Sequence, residues 1–541
     1  MNRDDSAGRL SRRAFLGSTA LPLWGCAPDR QIAGGFNGPS PERGHLLRQA
    51  PPGSALPPVA RRCDVLIAGG GIAGLAAARV LRRAGVQDFA VLELEDSAGG
   101  NSRGALVGGL PCPLGAHYLP VPGEGAGEVR ELLEEFGIAS RVSGRWVYDE
   151  RQLCHSPQER LFFSGQWQEG LLPLQGVGAG TLAQYRLFSQ RVGQAQKAAR
   201  FRLPLRSGLA PSHRALDALT FASWLDREGL ADPHLRWYLD YCCRDDYGAG
   251  TGTVSAWAGL HYFASRHGFQ APGEAGERDL LLTWPEGNGR LASRLAQPLG
   301  DRVRTGKVVL RISAVPHGVE VDAWDIAAQR LERWQAAHCV VALPLFVAAR
   351  VFNAPPRALA EAALRLRYAS WVVANAQIER PLEDRAGAPP SWDNVVYGVP
   401  GLGYVDAGHQ NLNPLPVPTV LTWYRALGDA PGVRAQLLAR SWQSWRDEML
   451  DELSVPHPDL RAKTVRVEVA RYGHAMAIPV PGTRSSAALA ALRRPQPALW
   501  RRAHFAHGDL SGYSIFEEAF THGHGAGQSV LAALGMGRRG G

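Results

Sequence analysis

Lysine is almost missing from this chain. Among 59 basic residues only Lys197, Lys307 and Lys463 are lysine, so the formal net charge of +9 is carried by arginine. The arginines are scattered and never form a tract, which argues against a basic nucleic-acid-binding arm. Cysteine is also scarce, with seven residues and no C-x-x-C pair. That leaves no zinc framework and no clear disulfide scaffold. Hydrophobic residues at 45% and charged residues at 20% are ordinary for a soluble globular protein. A length of 541 residues allows two or more domains with full-sized cores.

Glycine is abundant, at 62 residues, and one cluster of it organises the rest. Val65 to Ile67 read as a short buried strand, and Leu75 to Arg82 as a helix. Between them Gly69, Gly71 and Gly74 form a G-x-G-x-x-G turn, with Ile72 and Ala73 at the helix start. The first glycine permits a tight turn, the second admits a pyrophosphate to the backbone, and the third lets helix and strand pack closely. The free N–H groups and positive end of the helix then face the phosphates. A second strand, Phe89 to Leu92, ends on Glu93 and Leu94 about twenty residues on, where a carboxylate takes a ribose hydroxyl. The spacing predicts a dinucleotide-binding α/β fold.

The N-terminus reads as an address. Ser11-Arg12-Arg13-Ala14-Phe15-Leu16 is a twin-arginine signal, followed by an apolar run to Trp24 that is too short to span a bilayer. Leu23-Trp24-Gly25-Cys26 resembles a lipobox whose cysteine is lipidated. Residues 1–26 are therefore expected to direct folded export to the periplasm, with a lipid anchor at Cys26. Residues 27–60 are rich in Pro, Gly and Ser without periodicity and read as a flexible tether, with folded structure beginning near Arg61.

Paired glycines follow the second strand, in Asp96-Ser97-Ala98-Gly99-Gly100-Asn101-Ser102-Arg103. With this block the chain resembles the FAD-dependent amine oxidase family. The resemblance continues through Leu114-Gly115-Ala116-His117-Tyr118, closest to the polyamine oxidases, and through Trp284 to Leu291. It extends over Val309 and Ile312 as a V-x-x-I strand, His338 to Pro344, Arg471 to Gly482 and Phe505-Ala506-His507-Gly508-Asp509. It implies a Rossmann-like FAD-binding domain, 61–148, 275–345 and 470–535, with an interleaved α+β substrate domain, 149–274 and 346–469. By the same resemblance Val309 meets the adenine end through its backbone. Gly508 and Asp509 bind the ribityl and pyrophosphate region, and the helix opened by Phe516 and Glu517 faces the pyrimidine side of the flavin. A positive helix end there stabilises the negative charge of reduced flavin.

Three residues are candidates for chemistry. His117 could orient a substrate nitrogen or shuttle a proton, or it could satisfy a backbone carbonyl as a buried histidine. Tyr118 lies beside it. His474 falls where covalently flavinylated members carry their attaching cysteine, so a histidyl–FAD bond is one reading and simple packing on the ring the other. Asp245 and Asp246 could attract a cation, although such a pair more often marks a solvated turn. Cys242 and Cys243 read as buried small residues rather than a vicinal disulfide. His522 and His524, at i and i+2 of a helix, diverge, and no metal site is expected.

The chain also departs from the family. Asn101 stands where an arginine usually follows the paired glycines. Val373 takes the place of the lysine that holds a water against flavin N5, and the two aromatic-cage positions fall at Ala475 and Ile515. The leading expectation is an exported FAD-dependent oxidoreductase acting on an amine, with polyamines preferred. The alternatives are a flavin desaturase or dehydrogenase of an apolar substrate, and a non-catalytic flavoprotein that serves as a binding partner. NAD is the competing cofactor, disfavoured by the Gly99-Gly100 loop and the terminal Gly508-Asp509 helix.

Overall fold

The structure is a computed structural model in which residues 31–48, 57–205, 208–274, 280–413 and 415–536 are described. The export signal and Cys26 lie outside the described residues.

The dinucleotide stretch forms the centre of a seven-stranded sheet. Its order is Val303–Arg304, Phe89–Leu92, Val59–Ala68, Arg330–Val341, Gly318–Asp325 and Lys307–Val315, with Ala503–Phe505 also paired to Arg330–Val341. The core strands run parallel, whereas Lys307–Val315, Gly318–Asp325 and Arg330–Val341 form an antiparallel meander. Parallel strands covered on both sides read as unbroken apolar runs. Val65 and Ile67 enter one core with the helices, while Leu66 and Ala68 enter another on the opposite face. The helix Ile72–Arg83 leaves this sheet and packs along the C-terminal helix Phe516–Ala533.

A second, eight-stranded sheet supplies the other half of the molecule. Its central strands are Thr464–Ile478, Arg367–Ile378 and Thr419–Gly428, paired antiparallel. Along Arg367–Ile378 the side chains alternate between two cores. Ala369, Trp371 and Val373 face the helical layer around Pro233–Tyr247, and Val372, Ala374 and Ala376 face Trp442–Ser454.

Two expectations are corrected here. Part of the stretch read as a tether is folded. Ala33–Phe36 is an edge strand parallel to Thr464–Ile478, and a short helix, Pro41–His45, follows it. A four-residue strand needs no periodic pattern when an existing sheet edge supplies its backbone partners. The helix start is encoded locally, by Ser40 accepting from the Arg43 N–H at 3.3 Å and by Pro41 in the first turn. The second correction concerns Asp245 and Asp246. They are not a solvated turn but the last turn of Pro233–Tyr247, which is capped by the Asp232 carboxylate and closed by Gly248 in a left-handed conformation (φ 73°). Cys242 and Cys243 lie on the same helix, buried and free, as expected of small core residues.

Candidate functional site

The glycine turn is shaped by close approach of backbone. Gly69 has φ +101°, and a Cβ at Gly74 would sit 1.9 Å from the Gly69 carbonyl oxygen. Helix Ile72–Arg83 has no side-chain cap, so its first N–H groups are available to an anion. Gly71 faces open space, and the nearest atom to a Cβ added there would be Gly100 Cα at 3.9 Å. The Gly99 N–H donates to the Gly70 carbonyl at 2.8 Å, and Gly71 and Gly99 form an isolated parallel bridge. The paired-glycine loop therefore lies directly against the phosphate-type turn.

Other predicted residues converge on this loop. Buried Glu93 accepts from the Gly70 N–H at 2.8 Å and the Glu95 N–H at 2.9 Å, while burial raises its carboxyl above the ordinary range. The Lys307 N–H donates to the Glu93 carbonyl at 2.8 Å, bringing Val309 to the Glu93 end of the site. The Ser102 N–H donates to Gly99, and the Ala116 N–H to the Asn101 carbonyl at 2.9 Å. Asn101 in turn donates its amide to the Ala475 carbonyl at 2.6 Å. Leu94 contributes its carbonyl, which accepts from Arg43 at 3.2 Å. Asp509, fully buried, accepts from the Leu345 N–H and the Tyr368 hydroxyl, and neighbouring His507 helps hold its carboxyl low.

The two helices bearing on this cleft run in the same direction. A Cβ at Gly523 would strike Ala73, and one at Gly527 would strike Val80 and the Ala77 carbonyl. Later residues of one helix thus meet later residues of the other. Both N-termini, at Ile72 and Phe516, point to the same end, and neither has a side-chain cap. The Phe516 ring itself is core, stacked on Phe520 at 5.9 Å, so only its backbone can face a cofactor. This donor set suits a dinucleotide. Asn288 adds a buried Oδ1 without a partner, while its amide holds the Tyr118 carbonyl at 2.9 Å.

His117 and Tyr118 stand at the start of a short strand, Tyr118–Pro120, which pairs with Leu281–Thr283. The His117 ring stacks on Tyr424 at 4.4 Å and approaches Trp392 at 5.5 Å, while Tyr118 meets Trp392 edge-on at 5.9 Å. Burial pushes His117 down to about 4, against a hydrogen bond to the Gly115 backbone that raises it. The imidazole is thus neutral near pH 7. Trp392 and Tyr424 were not legible as site residues. Tyr424 lies in an ordinary strand, and its hydroxyl donates to the Gly115 carbonyl at 2.9 Å across 309 positions.

Carboxylates surround this aromatic group. Burial, then the neighbouring Asp246, pushes Asp245 up to about 7. Asp393 is raised well above the usual carboxylate range by burial, then by Asp245 and Glu159. Glu517 is pushed up to about 7 by burial. Arg266 is the cation among them, 3.4 Å from Asp246 and with its guanidinium over the Tyr262 ring at 4.8 Å. His474 belongs to a different ring group, stacked on Phe346 at 4.5 Å and near Tyr368 at 6.0 Å. Burial, with Arg434, Arg48 and His45 nearby, lowers it to about 4. Val373, in place of a lysine, faces the same core as Tyr424 and Trp392.

Comparison with known proteins shows the family. A model of the flavin containing amine oxidoreductase family matches residues 72–476. Over 319 residues the chain is 27% identical to an L-amino acid dehydrogenase of Synechocystis, covering 56% of this chain and 61% of that protein. It is 24% identical over 300 residues to flavin-containing amine oxidase B of Cavia porcellus, covering 54% and 53%. The chain thus spans little more than half the length of the curated relatives it matches. Putrescine oxidase bound to putrescine superimposes with a TM-score of 0.64 at 19% identity, over 87% of this chain and 100% of that one. Cyclohexylamine oxidase from Brevibacterium oxydans gives 0.64 at 20%, over 87% and 99%. A fatty acid isomerase from P. acnes shares the fold at 0.57 and 15%, over 87% and 98%, so fold alone does not select a substrate. The family match runs from the first turn of the dinucleotide helix to the strand that Asn101 grips, and the chain belongs to the flavin-containing amine oxidoreductase family.

Proposed function

We propose that this protein is an FAD-dependent oxidoreductase of a cationic amine, with di- and polyamines preferred. The observation that carries the reading is the carboxylate wall of Asp245, Asp246 and Asp393 beside the aromatic group of His117, Tyr118, Trp392 and Tyr424. Enclosed carboxylates with one arginine among them favour a cation, and aromatic faces favour it further. Asp246 is already paired with Arg266 at 3.4 Å, so Asp245 and Asp393 are the two that an apolar substrate would leave without a cation.

Gly69, Gly71, Ile72, Ala73 and Gly74 would hold the pyrophosphate, Glu93 the ribose, and Val309 the adenine through its backbone. Gly99, Gly100, Asn101, Ser102, Gly115 and Ala116 would line the flavin, with Leu94, Gly508, Asp509, Phe516 and Glu517 completing its contacts. FAD held there would supply a two-electron acceptor for oxidation of the carbon beside nitrogen, with oxygen or another acceptor as the final oxidant.

The chain's own residues prepare the amine. The carboxylates would hold one ammonium of a di- or polyamine, and the aromatic walls, by excluding water, would lower the pKa of its other nitrogen toward the neutral form that reacts. Neutral His117 would accept from an amine N–H through one ring nitrogen and so fix the substrate nitrogen. Val373 leaves no ammonium to hold a water at the flavin, so orientation falls to His117 and Tyr118. We further propose export of the folded, loaded protein by the signal at Ser11–Leu16, with Cys26 as its lipid anchor.

The decisive experiment is anaerobic titration of the flavin with mono-, di- and polyamines. Bleaching by diamines or polyamines is expected. No bleaching by any amine would refute the reading.

A further inference from the structure

The segment that carries His117 is held by side chains rather than by a sheet. It links the strands Leu110–Pro113 and Tyr118–Pro120 and has no ladder of its own between them. Its backbone groups must therefore find partners one at a time. Three consecutive carbonyls accept from the second sheet. Pro113 takes the Asn375 amide at 3.2 Å, Leu114 the Tyr472 hydroxyl at 2.8 Å, and Gly115 the Tyr424 hydroxyl at 2.9 Å. The cofactor side supplies the rest. The Leu114 and Ala116 N–H groups donate to the carbonyls of Arg103 and Asn101 at 3.0 and 2.9 Å, and the Asn288 N–H donates to the Ala116 carbonyl at 3.0 Å.

The three donors come from one face of three adjacent strands. Tyr424 stands opposite Val373 and Tyr472 opposite Trp371, and Asn375 follows two positions on along the same strand. Asn375 is aimed by the Thr422 hydroxyl, which donates to its Oδ1 at 2.7 Å and leaves the amide nitrogen for Pro113. Tyr424 and Tyr472 are both buried, and packing alone would be served by phenylalanine. Their hydroxyls reach the carbonyls of this segment. Tyr424 acts at a second point as well, since its ring stacks on the His117 ring at 4.4 Å with 29° between the planes. The hydroxyl fixes the backbone two residues before His117, and the stack fixes the plane of the imidazole.

We propose that Tyr424 is a positioning residue of the redox site, setting the place of His117 through the Gly115 carbonyl and the imidazole ring. The inference rests on the reading of His117 as the group that fixes the substrate nitrogen. Its strength lies in the two points of hold. A residue held at its backbone alone can still turn its ring, and one held by a stack alone can still slide. A small misplacement of an orienting group costs rate rather than binding, because it spoils alignment of the reacting atoms.

The test is anaerobic reduction of the flavin-loaded full chain by putrescine, followed by stopped flow. Tyr424→Phe keeps the stacked ring and removes only the hydroxyl. It should slow reduction at saturating putrescine at least about fivefold, while the half-saturating concentration moves by less than about twofold. In a His117→Ala background the same change should cost less than about twofold, because the group being positioned is gone. A hydroxyl with a merely structural role would slow both backgrounds alike. An undiminished rate in Tyr424→Phe, or the same loss with and without His117, would overturn the proposal. Should putrescine leave the wild-type flavin oxidised, the functional reading fails by itself, and the absorption of the oxidised flavin without substrate decides the positioning. A band shift on losing the hydroxyl upholds it, and superimposable spectra of wild type and Tyr424→Phe overturn it.

Discussion

Replacing Gly523 by alanine probes the arrangement that aims two helices at the cofactor. A Cβ at this position would lie 2.0 Å from the Ala73 carbonyl oxygen and 2.7 and 2.8 Å from Ala73 C and Cα. All three atoms are backbone of the first turn of the dinucleotide helix, so no side chain can swing aside. Ordinary contact begins near 3.4 Å, and the helices must part or tilt to reach it. Overpacking of this kind costs about 1–3 kcal/mol, offset by about 1 kcal/mol of improved helix propensity. Gly525 provides the control within the same helix, being exposed with nothing within 4 Å of its added Cβ. There alanine should gain about 1 kcal/mol. Denaturant midpoints followed by flavin fluorescence and circular dichroism should rank Gly525→Ala above wild type and Gly523→Ala below it. Gly523→Ala should also bind FAD at least tenfold more weakly, because Ala73 carries the phosphate-facing turn. Equal stability and equal FAD affinity in the two variants would refute the close parallel packing.

Four further predictions address the site. Asp245→Asn should raise the KM for a diamine about tenfold, as expected for one buried charge-assisted contact, with a smaller change in kcat by steady-state kinetics. Asp245 and Glu517 are each pushed up to about 7, from ordinary values of 3.8 and 4.5. The folded state therefore keeps protons that the unfolded chain releases, and their contribution to stability is present at acid pH and lost as pH rises through about 7. Unfolding midpoints compared at pH 5 and pH 8 should show a smaller decline for Asp245→Asn. Arg43 bonds the Leu94 carbonyl and Asp96 across the Glu93 end of the site, so Arg43→Ala should speed flavin loss several-fold in a dilution assay while leaving the unfolding midpoint within about 0.5 kcal/mol. Acid denaturation should release all of the yellow cofactor into the supernatant, and flavin retained in the pellet would restore the covalent reading of His474.

The local signals were legible because each rests on neighbouring residues. A buried strand, a turn that only glycine can make, and a helix start within a dozen positions announced the dinucleotide fold around Gly69, Gly71 and Gly74. The strand Phe89–Leu92 and Glu93 followed from the same logic. The helix cap at Ser40 was equally local, but its edge strand was hidden, since Ala33–Phe36 draws its partners from residues more than 400 positions away. The substrate side was hidden for the same reason. Tyr424 and Trp392 have no local signature, and they meet His117 from parts of the chain more than 270 positions away. Asp245 and Asp246 look like solvated surface until the capped helix turns them inward, where burial raises their pKa values. By itself, then, the sequence determined the cofactor half of this protein, through backbone shape and glycine sterics that act over a few residues. Tertiary structure alone decided the substrate half, because burial and long-range contact, not residue type, set the charge and company of its side chains.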